Sequence, residues 1–307
     1  MDDRSRKPQA TNCKLLTLHC LSLAACCLLL VSCKWDLSQF FAHPSVEERV
    51  HESLSGQLRA PASLVFVNSD SFRFAMFGDP QIGTDSLTYL PEFRQGIATN
   101  GIKFFCVLGD LTNDALATER GELLAQLDST GLPYYCTIGN HDLYHADGWE
   151  WFKNTFGPSC YAITVAGKVK LIFLDTAEGA LGQEQFDWLE RELADSSYGD
   201  IPRRGVPTIV ATHYPIYDGT KPIMWRISGS EERYKLLSLL AQYHVRYYVA
   251  GHIHGWRYFQ IDRLNHFVAS LPTGTMDYGK PSYLIFTWAH DSLSWEHVEF
   301  DGPPSKP

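Results

Sequence analysis

The chain has 307 residues, 45% apolar and 20% charged, and its 26 lysines and arginines against 35 aspartates and glutamates give a formal charge of −9. This is the composition of a folded globular protein of one large α/β domain or two smaller ones, and it excludes a disordered chain, as the missing period excludes a fibrous or repeat one. An acidic body without a basic stripe excludes broad nucleic-acid binding through counterion release, and a single apolar stretch near spanning length excludes a multi-pass membrane protein.

Arg4, Arg6, Lys7 and Lys14 precede an uncharged run from Leu15 to Cys33. A basic segment followed by an apolar one is the layout of a secretion signal, so residues 1–32 read as a signal peptide. The closing Leu30-Val31-Ser32-Cys33 resembles the lipobox of bacterial lipoproteins, in which the cysteine becomes the first mature residue and carries acyl chains. That resemblance implies lipidation at Cys33 and a body held outside the cytoplasm, periplasmic or at the cell surface. The alternative is an uncleaved single-pass anchor. Residues 33–70, mixed in composition and without a dominant period, read as a lipid-anchored stalk or linker, and 71–307 as the catalytic domain.

Beyond Cys33 only Cys106, Cys136 and Cys160 remain, with no zinc-finger spacing. Cys106 and Cys136 lie in apolar runs and are expected as buried thiols, with a disulfide between them as the alternative should their strands be neighbours.

Three short apolar runs, 72–79, 102–110 and 134–140, each end in a glycine followed by Asp or Asn. Helical patterns separate them, including 114–127 with Leu116, Leu123, Leu124 and Leu127 on one face. Runs that are apolar throughout and spaced by one helix indicate βαβ units in a buried parallel sheet. Residues 161–176 read as a hairpin turning at Gly167-Lys168, 183–195 as an amphipathic helix, and 207–252 as a further strand–helix–strand unit. The last third reads as successive antiparallel strands, RYFQID, HFVAS, YLIFTW and SLSWEHVEF, and predicts a second sheet. The fold class expected is α/β: two mixed sheets packed face to face with helices outside.

Polar residues gather where these strands end. Asp79 and Gln81 follow the first; Asp110, Asn113 and Asp114 the second; Asn140, His141 and Asp142 the third; His213, His252 and His254 later ones. Ligand crevices in open α/β sheets lie at the carboxyl ends of strands. Oxygen and imidazole donors without cysteine suit borderline divalent metals.

The blocks Asp79-Pro80-Gln81, Gly109-Asp110-Leu111-Thr112-Asn113, Gly139-Asn140-His141-Asp142, Thr212-His213 and Gly251-His252-Ile253-His254 resemble, in that order, those of the calcineurin-like metallophosphoesterase superfamily. The resemblance implies two metal ions (Mn, Fe or Zn), with Asp79, Gln81, Asp110 and His254 on the first and Asp110, Asn140, His213 and His252 on the second. It further implies attack of a hydroxide held by the ions on a phosphate mono- or diester. His141 would act as general acid, Asn140 and His141 would contact substrate, and Asn113, Asp114 or Asp142 would orient His141. The missing extended groove favours monoesters. A rival expectation is a catalytically silent surface lipoprotein that keeps the cage.

Gln81 departs from the family's usual histidine, as in the Asp-Pro-Gln branch resembling serine/threonine phosphatases with a calcineurin-like domain. An amide oxygen is a harder and weaker donor than imidazole, so the expected effect is a shift toward Mn or Fe. Tyr217, Lys221, Trp225 and Arg226 are candidates for a rim, although Arg226 also reads as a solvated loop charge. Trp149, Trp151 and Phe152 are expected in the core, and His145 is a candidate substrate contact. Partners implied are a phosphate-ester substrate and, through the lipid anchor, a membrane; the oligomeric state is not legible.

Overall fold

The computed structural model describes residues 43–65, 70–83, 87–195, 206–219, 225–272 and 276–304. The signal peptide, Cys33 and Lys221 lie outside the described residues. The first described element is helix α1 (Val46–Leu54), started by Ser45, whose hydroxyl accepts the Glu48 N–H while the Glu48 carboxylate accepts the Ser45 N–H. Val46 and Val50 lie one turn apart and are buried. Arg49 between them is fully buried and makes two 2.9 Å hydrogen bonds to Asp175. Within the span expected as a stalk or linker, 33–70, residues 46–54 thus form a helix packed on the body. One short apolar face is too weak a signal in the sequence, and the partner of Arg49 is 126 residues away.

β1 (Ser71–Phe77), β2 (Ile102–Leu108) and β3 (Tyr134–Thr137) run parallel, linked by α2 (Leu90–Thr99) and α3 (Ala117–Asp128). A short 3₁₀ turn (His141–Leu143) and α4 (Gly148–Phe156) lead to the β4 (Tyr161–Val165) and β5 (Val169–Phe173) hairpin, which turns at Ala166-Gly167-Lys168 as expected. Then follow α5 (Gln183–Ala194), β6 (Thr208–Ala211), α6 (Ser230–Gln242), β7 (Tyr247–Ala250), β8 (Trp256–Ile261), β9 (Leu264–Ala269), β10 (Ser282–Ala289) and β11 (Ser292–Glu299). One sheet has the order β11-β10-β1-β2-β3, the other β4-β5-β6-β7-β9-β8.

Both sheets are mixed, as expected, but the last four strands do not form a sheet of their own. β9 joins β7 in parallel and brings β8 with it, whereas β10 pairs antiparallel with β1. Each hairpin thus covers a strand that would otherwise leave an open edge.

Period-two alternation explains the layering. Phe72, Phe74 and Met76 of β1 and Phe104, Cys106 and Leu108 of β2 face the second sheet, meeting Leu171, Phe173, Ile209, Val249 and Phe267. Ala75, Phe77, Phe105 and Val107 face α2, α3 and α4 on the outside. The remaining face of the second sheet is covered by α1, α5 and α6. Phe74 stacks between Phe104 at 4.7 Å and Phe286 at 5.3 Å; emptying such a position costs about 3–5 kcal/mol. The same alternation keeps Cys106 and Cys136 apart. Their strands are neighbours, but the thiols belong to cores on opposite faces, and both are free. Trp149 and Phe152 are core residues.

Candidate metal centre

The two sheets touch at one end. Gly78, after β1, accepts the Leu271 N–H at 2.9 Å and donates to Ala269 O at 2.8 Å, so β1 of one sheet is stitched to the exit of β9 in the other. The strand ends that carry Asp79, Asp110, Asn140, His213 and His252 are thereby brought together. A Cβ on Gly251 would stand 2.6 Å from Asp79 Oδ2, and one on Gly139 would stand 2.1 Å from the Asp110 backbone nitrogen. Only glycine leaves room for the acidic residues at these two places.

Four of the seven expected ligands have left-handed backbones: Asp79 (φ 56°), Gln81 (φ 39°), Asp110 (φ 49°) and His252 (φ 67°). Each such residue costs about 1–3 kcal/mol and persists where its surroundings enforce it, commonly at functional sites. Hydrogen bonds supply the enforcement. The Asp79 and Gln81 N–H groups donate to Gly109 O and Asp110 O, each at 3.0 Å. The His252 N–H reaches both Asp79 carboxylate oxygens at 2.9 Å, and Ser270 Oγ donates to Asp79 Oδ2 at 2.5 Å.

The centre is His213, which is fully buried. Its Nδ1 lies 2.8 Å from Leu108 O, a pure acceptor, so Nδ1 carries the proton and Nε2 points the other way. Around Nε2 stand Asn140 Oδ1 at 3.0 Å, Asp110 Oδ1 at 3.2 Å and His252 Nδ1 at 3.2 Å. Two of these three atoms can only accept, so a positive charge belongs among them, either a proton on Nε2 or a metal ion. In the metal-free cage it is the proton. Burial works against a charged His213, but the Asp110 carboxylate outweighs it and raises the imidazole to about 9. Burial likewise opposes ionisation of Asp110, and His213 and His141 overcome it, holding the carboxyl below the usual range. Burial pushes Asp79 upward, and His213 offsets this only in part.

The donor set fits a divalent cation. Among the described residues, Asp110, His213 and His252 form the group whose ligand atoms all lie within 4.8 Å of one another, and Asn140 joins it through His213. Asp79 meets this group through the His252 N–H, and the Gln81 N–H donates to the Asp110 carbonyl. His254 acts electrostatically on Asp79, and its N–H reaches Asp277 at 3.2 Å.

His141 stands beside the group. Its N–H donates to Asp110 Oδ1 at 2.9 Å, and its Nε2 lies 3.8 Å from Asp110 Oδ2. The orienting residue is Asn113, but through its backbone carbonyl, 2.6 Å from His141 Nδ1; the Asn113 side chain turns away to Asp114. Asp142 does not touch the imidazole. It is fully buried and accepts the N–H groups of Gly139 at 2.9 Å, Leu111 at 2.9 Å and Thr112 at 3.2 Å, clamping two loops together. Burial and the charge of Asp110 push its carboxyl up to about 7 against those donors.

Several expected rim residues are otherwise engaged. Arg226 is paired with the buried Asp218 at 2.6 Å, neither a solvated charge nor a free clamp. His145 pairs with Asp147 at 3.1 Å, and Tyr217 packs on Phe259. Trp225 does reach the site, its ring 5.8 Å from that of His252. Sequence reasoning missed Tyr214, stacked on His252 at 3.7 Å, and Tyr144, whose ring lies tilted by 38° against that of His141 at 4.3 Å. Adjacency to His213 and the three-residue step from His141 were the available signals.

A family model described as calcineurin-like phosphoesterase matches residues 72–256. No curated protein matches the sequence. Among solved structures, the fold is similar to that of a purple acid phosphatase, PPD1, from yellow lupin seeds (15% identity, 78% of this chain and 53% of that one, TM-score 0.61). It is similar as well to a dimetal phosphatase from Danio rerio (12% identity, 74% and 96%, TM-score 0.60). A third similar structure is GAP50, the anchor in the inner membrane complex of Plasmodium (17% identity, 77% and 89%, TM-score 0.58). At these identities the likeness concerns the fold, which by itself does not determine activity.

Proposed function

The chain belongs to the calcineurin-like phosphoesterase family, and from that premise we propose that it hydrolyses phosphate esters at a binuclear metal centre, with His141 as general acid. The observation that carries this reading is the convergence of Asn140 Oδ1, Asp110 Oδ1 and His252 Nδ1 on His213 Nε2. Asp110, Asn140, His213 and His252 would hold one ion, and Asp79, Gln81, Asp110 and His254 the other, with Asp110 shared. Bound there, the ions would supply Lewis-acid stabilisation of phosphoryl oxygens and a water made acidic enough to attack near neutral pH.

The protein's own part is orientation and proton supply. Two carboxylates among seven donors keep the loaded site positive, which draws a phosphate into an otherwise acidic protein. Asn113 O fixes the His141 ring, so that Nε2 can hold a proton for the departing oxygen while Asn140 and His141 contact the ester.

Chelator-treated full-length protein, reloaded with Mn, Fe or Zn and offered chromogenic phosphate mono- and diesters, should hydrolyse at least one class in a metal-dependent way. Metal bound without turnover of any ester, and unchanged by His141→Ala, would identify a silent cage instead. We further propose that acylated Cys33 tethers the body outside the cytoplasm, a reading supported by the basic leader and the apolar run to Cys33. Cys33→Ser should then abolish fatty-acid labelling and release the protein from membranes; retention without label would favour a spanning anchor.

A further inference from the structure

Tyr144 closes the 3₁₀ turn that begins at His141, its N–H returning to His141 O at 3.2 Å. Residues three apart eclipse in such a turn, which lays the phenol ring against the imidazole with centroids 4.3 Å apart. The hydroxyl lies 3.4 Å from His141 Nε2 and 3.4 Å from Asn140 Nδ2. Both exceed the roughly 2.7–3.2 Å of an N–H···O hydrogen bond, and in the second the amide donates to the hydroxyl oxygen, so neither contact uses the phenol hydrogen fully. At 37% exposure the residue is reachable from solvent. With His141 Nδ1 committed to Asn113 O, Nε2 and the phenol present two hydrogen-bonding groups side by side. Groups this far apart can both meet a single oxygen about 2.8 Å from each.

We propose that Tyr144 Oη and His141 Nε2 hold the same substrate oxygen, the ester oxygen that leaves as an alcohol. The inference rests on the phosphoesterase reading above. As the P–O bond breaks, its electron pair stays on that oxygen, His141 Nε2 delivers the proton, and the Tyr144 hydroxyl donates a hydrogen bond without losing its own. Water supplies the replacement oxygen on phosphorus, so no oxidant or reductant is involved. Tyr144 thereby makes the enzyme effective on esters with poor, alkyl leaving groups.

The test compares wild type and Tyr144→Phe, full length and metal-loaded, on matched aryl and alkyl esters of whichever class wild type turns over. Phenylalanine keeps the tilted ring contact with His141, so the melting temperature should be unchanged. Losing one such donor should lower kcat on the alkyl ester by about tenfold or more, and on the nitrophenyl ester by less than about threefold. KM and metal per chain should hold. An equal loss on both esters, no loss at all, or a loss that follows metal content would overturn the proposal. The last would mean that Tyr144 acts by turning the Asn140 amide. Wild type inactive on every ester would instead defeat the functional reading, and is seen before any variant is compared.

Discussion

The backbone N–H of His252 lies 2.9 Å from both carboxylate oxygens of Asp79, a contact across 173 residues that ties the end of β7 in one sheet to the end of β1 in the other. The same carboxylate is an expected metal ligand. Asp79→Ala should therefore do two things: lower metal affinity, and destabilise even the metal-free fold. Removing a buried charged acceptor and stranding its donor costs about 2–3 kcal/mol, which urea unfolding in chelator would measure. A variant that loses metal at unchanged stability would show that the bond is incidental.

His213 carries a pH dependence whose sign can be worked out. Its folded value is about 9 against an ordinary 6.5, so the native cage binds this proton more tightly than the unfolded chain does. The resulting stabilisation is fully present below about pH 6.5 and fades as pH rises through about 9. Chelator-treated protein should accordingly become easier to unfold across that interval. Metal must displace the same proton, so metal affinity should climb over the same range. Stability and affinity both flat from 6.5 to 9 would mean that His213 is neutral throughout.

Asn113 and His141 should behave very differently when truncated, although they touch. His141→Ala should reduce kcat by about 10²–10⁴-fold with metal content unchanged. Asn113→Ala leaves the carbonyl that orients His141 in place and removes only a surface contact to Asp114, an effect within about 0.5 kcal/mol. Steady-state kinetics on both variants decide it; comparable losses would assign a role to the Asn113 side chain.

Gly139→Ala is expected to be among the most damaging single-methyl additions in the protein. The new Cβ would stand 2.1 Å from the Asp110 backbone nitrogen and 2.3 Å from Asp110 Oδ1, and backbone cannot yield as the tip of a side chain can. Metal titration should show the loss of binding directly, and retained affinity would refute the crowding described.

Gln81→His tests the residue in which this chain departs from its family's usual pattern. Imidazole is the softer and stronger donor, so the variant should hold Zn more tightly relative to Mn. Metal analysis after loading from an equimolar mixture gives the ratio; an unchanged ratio would mean that Gln81 has no part in metal choice.

Much of this site could be read from the chain before any coordinate. Asp79, Asp110, Asn140, His213 and His252 each follow an apolar strand, four of them directly after a glycine, because a buried sheet can present polar groups only where its strands run out. The histidine of Gly139-Asn140-His141-Asp142 stood out from the other histidines because it directly follows Asn140, an expected ligand. The division of labour within that block was not legible, since Asp142 reads as a candidate to orient His141 and is a buried clamp on Leu111, Thr112 and Gly139.

What the sequence by itself determined is the kind and order of polar residues at the strand ends, because strand period and turn residues are local. Tertiary structure alone decided which atoms meet: the carbonyl rather than the amide of Asn113 on His141, Asp218 on Arg226, Asp175 on Arg49, and the phenol of Tyr144 beside Asn140. It also sent β10 back to β1 instead of into a separate sheet. These pairings depend on how two twisted sheets and the loops at their shared end pack in three dimensions, and no spacing along one strand carries that information.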